Sequence, residues 1–274
     1  MTSPTTPALD LPAYLERIGR PELLSSAPDE DALCALHRGH LLSIPFENLE
    51  VVAGSVPSLD LADLQDKLVR RRRGGYCYEQ NRLFAAALEA FGFGVRLLTG
   101  RVVLGAEDFT SRPRTHAALL VDVPGSRTRY LADVGFGTIG APILPIPFVD
   151  GGARTADARQ HRLRRVPGPD QHATWLLQAR TGDEWVSQYA LSAEPAAPID
   201  LEVANWYIAT HPHSPFRGRR AVQRSEPGVH RSLLGSDLTV TDEHTGTTHT
   251  RALLDEQEVR RVLHEELGLP AGVH

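Results

Sequence analysis

Cys77 sits just after Gly74-Gly75 and at the start of a stretch with helical periodicity. There the positive end of the helix dipole favours a thiolate. The two glycines remove side-chain bulk that would block a substrate. By position alone, a nucleophile and a merely packed cysteine are equal readings. The partners shift that balance, because a thiol nucleophile needs a base beside it and an orienter behind the base. His116 opens an apolar β run, Thr115-His116-Ala117-Ala118-Leu119-Leu120, and Asp133 interrupts another, Tyr130-Leu131-Ala132-Asp133-Val134. A carboxylate in a strand is costly unless paired. If a turn at Pro124-Gly125 joins the two runs, His116 and Asp133 can face each other across the ladder. Singly, His116 reads as well as a satisfied core histidine and Asp133 as a turn cap. With Cys77 they fit a Cys-His-Asp set, in which the carboxylate fixes the tautomer and stabilises the imidazolium.

Other chemical motifs fail their context tests. There is no Gly-x-Ser-x-Gly elbow. His264-Glu265 begins a zincin-like pattern that no second histidine completes, so it reads as helix surface. The run from Gly135 to Gly140 matches a dinucleotide fingerprint, which must open a helix. Pro142, Pro145 and Pro147 forbid that helix, and the glycines remain as a place where backbone can approach a ligand closely. His37 and His40, and His211 and His213, lack companion ligands for a metal. They read as surface or cap histidines, and Cys34 as a small buried apolar residue. No metal site is expected.

The elements that position these residues fall into three groups. Helical spacing covers Leu9 to Ile18, the stretch after the acidic start Asp29-Glu30-Asp31, the stretch after Asp60 as cap, and 76–91, which Gly92 ends. The period then changes. Segments 95–103, 115–123 and 129–136 are β-rich, with a hairpin turn at Pro124-Gly125-Ser126, and 175–180 pairs with 184–191 around Thr181-Gly182-Asp183. Residues 195–198 read as a linker. After it come a short helix at 201–209, short strands at 232–241 and 247–254, and a helix at 255–267. Helices, then strands, then a mixed part argue for an α+β architecture, divided at 1–92, 93–194 and 195–274.

The composition fits a folded protein without staples. The chain has 274 residues, is 41% hydrophobic and 23% charged, and carries a net charge of −5. Weak acidity argues against nucleic acid as a partner. No apolar run reaches the ~20 residues of a membrane span. Two cysteines and an N-terminus without signal-peptide character point to a cytoplasmic protein. Lys67 is the sole lysine. The arginine excess reads as codon bias.

At these residues the chain resembles the bacterial arylamine N-acetyltransferases. The matching pieces are Ile44-Pro45-Phe46-Glu47-Asn48-Leu49, Arg73-Gly74-Gly75-Tyr76-Cys77-Tyr78-Glu79-Gln80-Asn81, Thr115-His116, and Asp133-Val134-Gly135-Phe136-Gly137. Asn205-Trp206-Tyr207, His211-Pro212 and Ser214-Pro215-Phe216 add a C-terminal match. Gln80 departs from the family pattern, standing where a larger apolar residue or histidine is expected. The resemblance implies an N-terminal helical bundle, a central β-barrel and a C-terminal α/β lid around a cysteine-protease-like Cys-His-Asp core. It implies Cys77 as the acyl-carrying nucleophile, His116 as base and Asp133 as orienter. Acetyl-CoA is then the acyl-donor substrate, with no tightly bound cofactor, and an arylamine or arylhydrazine is the acceptor. Phe46, Phe136, Tyr78 and Thr115 are expected at the acceptor, and Gly135, Gly137, Thr138 and Phe216 at the donor. Arg73 is expected to pair with Glu47 and anchor the segment before Cys77. Rival readings are an amide synthase acting on a polyketide thioester, a thiol hydrolase, and a non-catalytic CoA-binding module.

Overall fold

The structure, a computed structural model, describes residues 8–106, 108–168 and 173–273. Asp10 accepts the Ala13 N–H and starts α1 (Leu11–Arg17), and Asp29 accepts the Ala32 N–H and starts α2 (Glu30–Ser43). A short strand β1 (Phe46–Glu47) and one-turn helix α3 (Leu49–Val52) follow. Helix α4 (Leu61–Leu64) widens into π-type turns over Gln65–Arg70. Asp60 precedes it but does not cap it with its side chain, contrary to the sequence expectation. Helix α5 (Cys77–Phe91) ends at Gly92, whose φ of +108° is the left-handed conformation that suits glycine. It packs Leu83, Phe84, Ala87 and Leu88 against Tyr14, Leu15, Leu33, Leu36 and Leu68. Its first turn also buries Glu79, Gln80 and Asn81. Such polar groups are stable inside only when they are hydrogen-bonded.

Eight antiparallel strands form the middle of the chain: β2 (Gly94–Val102), β3 (His116–Asp122), β4 (Arg129–Ala132), β5 (Ile146–Pro147), β6 (Ala153–Ala156), β7 (Arg159–Pro167), β8 (Ala173–Thr181) and β9 (Glu184–Ser192). Their order is β5-β4-β3-β2-β9-β8-β7-β6. The end strands β5 and β6 are joined by the short segment 148–152, where Phe148 N–H donates to Arg129 O of β4 at 2.8 Å and Gly151 N–H to Leu163 O of β7 at 2.9 Å, so the sheet nearly closes as a barrel. Ala118 and Leu120 of β3 face the barrel interior with Leu98, Leu131, Leu163, Leu177 and Leu191. Ala117, Leu119 and Val121 face the helical core. Both faces of β3 are buried, which explains its unbroken apolar run. Strands β6 and β7 were not expected from the sequence. The run foreseen over 129–136 stops at Ala132, because the chain turns away at Asp133.

The last part contains α6 (Pro198–Thr210), β10 (Ala221–Glu226), β11 (Val229–Leu234), β12 (Asp237–Asp242), β13 (Thr248–Ala252) and α7 (Glu256–Glu265). The strand expected over 232–241 is two strands broken at Gly235, and β10 was not expected. The sheet order is β1-β10-β11-β12-β13, with Phe46 opposite Gln223 and Glu47 opposite Val222. The edge of this sheet is therefore supplied by the N-terminal segment. Val259, Val262 and Leu263 of α7 cover its Val222, Leu233 and Leu238. Among the described residues no helix is long and apolar enough to cross a membrane.

Candidate active site

Cys77 is the first residue of α5, so its backbone N–H is one of those without an intrahelical acceptor. Its Sγ lies 3.9 Å from Thr115 O. His116, the first residue of β3, places Nε2 at 2.7 Å from Asp133 Oδ2. The pair lies across the end of the β3–β4 ladder, but not directly opposite. The register runs from Asp122 opposite Arg129 to Leu119 opposite Ala132, so His116 reaches Asp133 diagonally. With Nε2 committed to the carboxylate, Nδ1 is the nitrogen left for Cys77. Burial works against a charged His116, but Asp133 and the neighbouring Cys77 outweigh it and push its pKa up to about 10. Burial would raise the Asp133 carboxyl, yet His116, Asn81 and the Gly135 N–H hold it below the usual value.

Asn81, in the motif around Cys77, had no role expected from sequence. Its Nδ2 donates to Asp133 Oδ1 at 2.9 Å and to Ala117 O at 2.7 Å, and its Oδ1 accepts the Val134 N–H at 3.1 Å. One amide thus ties α5, β3 and the Asp133 turn together. Its position one turn after Cys77, on the same helix face, was the available signal. Tyr189 was also missed. Its ring lies 4.6 Å from that of His116 and 5.0 Å from that of Phe136.

The segment delivering Cys77 is held from several sides. Arg73 Nε and Nη2 donate to Glu47 at 3.0 Å and 2.6 Å, with side-chain exposures of 16% and 0% for Arg73 and Glu47. The expected pair is present and half-buried. Both donors converge on Oε1, because Oε2 is taken by the Leu49 N–H at 2.7 Å. Arg70, Arg71 and Arg72 are exposed, as expected for a solvated run. Lys67 is buried. Its Nζ lies 2.6 Å from Glu79 and 3.1 Å from Glu50, and the other Glu79 oxygen accepts the Tyr76 N–H at 3.1 Å. Opposing contributions act on Lys67: burial lowers its pKa, and Glu79 and the other carboxylates raise it further, so it stays charged.

The sulfur and imidazole face a cavity of about 480 Å³. Phe46, Phe136 and Thr115, expected at the acceptor, and Gly135, Gly137, Thr138 and Phe216, expected at the donor, all line this one cavity. Tyr78 does not. It is fully buried and packs edge-on against Tyr76 at 5.5 Å. Val102, Leu104 and Ile208 complete the apolar walls, and Arg112 and His213 supply polar groups. Gly135 and Gly137 border the cavity and are also packed closely against protein. A Cβ on Gly135 would stand 2.7 Å from Cys77 Cα, and one on Gly137 would run into the Phe46 ring. His37 and His40 are not surface histidines, since both are completely buried. Cys34 is only half-buried. Among the described residues no group of three or more His, Cys, Asp or Glu side chains could hold a metal.

Residues 29–272 match the family model described as N-acetyltransferase, which extends well past the C-terminal motifs that carry the sequence resemblance. An arylamine N-acetyltransferase of Mycolicibacterium smegmatis is 42% identical over 240 residues, covering 85% of this chain and 82% of its own length. The Escherichia coli arylamine N-acetyltransferase is 36% identical over 253 residues, covering 89% and 84%. The crystal structure of Nocardia farcinica arylamine N-acetyltransferase superposes with a TM-score of 0.87 at 41% identity, covering 96% of this chain and 90% of that one. The structure of the Mycobacterium marinum arylamine N-acetyltransferase in complex with CoA superposes with a TM-score of 0.86 at 35% identity, covering 95% and 93%. Matched along nearly its whole length in both sequence and fold, this chain belongs to the arylamine N-acetyltransferase family.

Proposed function

We propose that this enzyme moves an acetyl group from acetyl-CoA to an arylamine or arylhydrazine in two half-reactions, through an acetyl-Cys77 intermediate. The observation that carries this reading is that Cys77 and His116 border one apolar cavity, with Asp133 hydrogen-bonded behind the imidazole. In the first half-reaction the Cys77 thiolate attacks the thioester carbonyl. The tetrahedral intermediate collapses, the CoA thiolate leaves, and the His116 imidazolium supplies the proton that CoA carries away. In the second, the amine nitrogen attacks the acetyl-Cys77 carbonyl. Neutral His116 takes the amine proton, the C–S bond breaks, and the thiolate–imidazolium pair is restored. Asp133 serves both halves by holding Nε2 protonated and offsetting the imidazolium charge. The Cys77 N–H at the start of α5 is placed to donate to the oxyanion.

The apolar lining supports a flat aromatic acceptor, with Phe46, Phe136 and Thr115 beside it. Gly135, Gly137, Thr138 and Phe216 are assigned to the donor's path. Residues 1–92 then deliver the nucleophile, 93–194 its base and orienter, and 195–274 the cover supplied by Ile208 and Phe216. Initial rates with acetyl-CoA and an arylamine varied together test the scheme. Parallel double-reciprocal lines are expected. Intersecting lines would exclude the acetyl-enzyme route, and acetate released without amine as the main product would make the enzyme a hydrolase.

A further inference from the structure

His37 and His40 stand one turn apart on α2, fully buried, and take no part in the chemistry proposed above. His37 Nδ1 is 3.0 Å from Ile143 O, and its Nε2 is 3.0 Å from Asp133 N. A carbonyl only accepts and a backbone N–H only donates. His37 therefore carries its proton on Nδ1 and accepts at Nε2. The β3–β4 ladder has ended one residue earlier, so the Asp133 N–H has no strand acceptor, and His37 provides one.

His40 is the opposite tautomer. Gln80 Nε2 donates to Pro45 O at 2.9 Å, Gly75 O at 3.2 Å and Ile44 O at 3.3 Å, which fixes which way its amide points. Gln80 Oε1 therefore faces His40 Nε2 at 2.7 Å and accepts from it, while His40 Nδ1 accepts from the Tyr14 hydroxyl at 2.8 Å. The carbonyls that Gln80 gathers belong to the segment before Cys77 and to the strand entrance it pairs with. This relay also accounts for Gln80, the departure from the family pattern noted in the sequence. Both rings lie edge-on to Phe84, at 5.7 Å and 5.3 Å.

We infer that His37 and His40 are positioning residues for acetyl transfer: as opposite neutral tautomers on one helix turn, they fix the Asp133 backbone and the Cys77 segment relative to each other. Burial keeps both rings neutral, down to about 4 for His37 and about 3 for His40. Asp133 from the β4 end and His161 from β7 face His37, and Arg17 and Tyr14 from α1 face His40. A displacement of ~1 Å at a reacting centre can cost ~100-fold in rate, so a rigid link between nucleophile and orienter has a direct catalytic consequence.

The inference rests on Cys77 reacting with the help of His116 and Asp133. Wild-type protein decides that first: Cys77 alkylated no faster than Cys34 would overturn the catalytic reading and this inference with it. Given a reactive Cys77, the comparison is among His37→Leu, His37→Gln, Tyr14→Phe and Leu33→Ala in the full chain. Leu33→Ala leaves a cavity on the same helix and serves as the purely structural control. For each, kcat, KM for the acceptor, Tm and the pH profile of Cys77 alkylation are measured. His37→Leu is expected to lose about tenfold or more in kcat with little change in KM, and to move the alkylation profile to higher pH. His37→Gln, which keeps an acceptor for the Asp133 N–H, is expected to restore much of both. Tyr14→Phe removes one hydroxyl only, and is expected to lower kcat and Cys77 reactivity at neutral pH. Leu33→Ala is expected to lower Tm and leave the profile in place. Profiles and kcat unchanged in His37→Leu and Tyr14→Phe would overturn the inference. If His37→Leu does not fold, Tyr14→Phe decides alone, and unchanged reactivity there overturns it.

Discussion

Each oxygen of the Asp133 carboxylate has a donor: Oδ2 takes His116, and Oδ1 takes Asn81 and the Gly135 N–H. A carboxylate so enclosed can remain charged without water. Asp133→Asn keeps the shape and removes the charge, so the fold should persist while turnover collapses. In a serine-protease triad the same change costs ~10⁴ in turnover. Full activity in Asp133→Asn would make Asp133 merely structural. The thiols separate in the same way. Cys34, half-buried on α2, has its pKa pushed up, chiefly by burial, whereas Cys77 has an imidazolium beside it. Iodoacetamide at neutral pH should label Cys77 far faster, read by peptide mapping, and equal rates would contradict the thiolate–imidazolium pair. Cys77, His116 and Asp133 were legible as residues because cysteine after two glycines and charged groups in apolar runs break local pattern. Their partners were not. His37 and His40 share the spacing of an amphipathic helix's polar edge, and only the return of Ile143 and Asp133 onto His37, and of Tyr14 and Gln80 onto His40, encloses them.

The segment 73–76 joins a π-type turn to α5 and carries two glycines, so its course depends on what grips it. Gly74 sits against Pro45 O and Gly75 against the Glu79 side chain, at separations a Cβ could not share. Arg73 adds a guanidinium on a fully buried carboxylate. Removing one side of a buried pair costs about 3–5 kcal/mol, whereas a surface pair contributes about 0–1. Arg73 is partly exposed, so the lower end of that range applies. Thermal melts should show Arg73→Ala well below Arg71→Ala. Arg71 pairs with Asp66 in solvent at 2.7 Å, with 57% and 47% exposure. Equal shifts would put Arg73 in the solvated class. Arg73→Lys should also be impaired, since one ammonium cannot place two directed donors on Oε1. At this scale α2, α5, β2, β3, β8 and β9 were readable from periodicity and turns. Strands β6, β7 and β10 were not, because arginines stand at Arg154, Arg162, Arg164, Arg165 and Arg224, where β-branched or aromatic residues would have signalled a strand.

Across the whole molecule the buried histidines set the response to pH in two opposed ways. Burial lowers His37 and His161 to about 4, and His40 and His230 to about 3. Unfolding below pH 6.5 therefore takes up protons at these positions, and stability should fall steadily from there toward pH 4. His116 behaves the other way. Its folded pKa, raised from 6.5 to about 10, gives a contribution fully present below 6.5 and lost as pH rises through 10. The lowered Asp133 contributes above 3.8 and loses that contribution as pH falls through its folded value. The stability difference between wild type and Asp133→Asn should thus be greatest between 3.8 and 6.5 and shrink toward pH 10, as urea titrations at fixed pH can show. A difference that grows on the alkaline side would contradict the ion pair. The order of helices, then strands, then a mixed part was readable in the chain, whereas the closing of the strands into a barrel was implied only by the family resemblance. The crossing of Phe46–Glu47 into the C-terminal sheet was not, because two residues are too few to carry a strand period.

The central claim is that Cys77 carries the acetyl group between donor and acceptor. Intact-protein mass spectrometry after mixing with acetyl-CoA alone, followed by peptide mapping, tests it most directly. One acetyl group on the peptide containing Cys77 is expected. It should disappear when an arylamine is added, and should be absent in Cys77→Ala. An unmodified protein, or an acetyl group at another residue that the amine does not discharge, would contradict it.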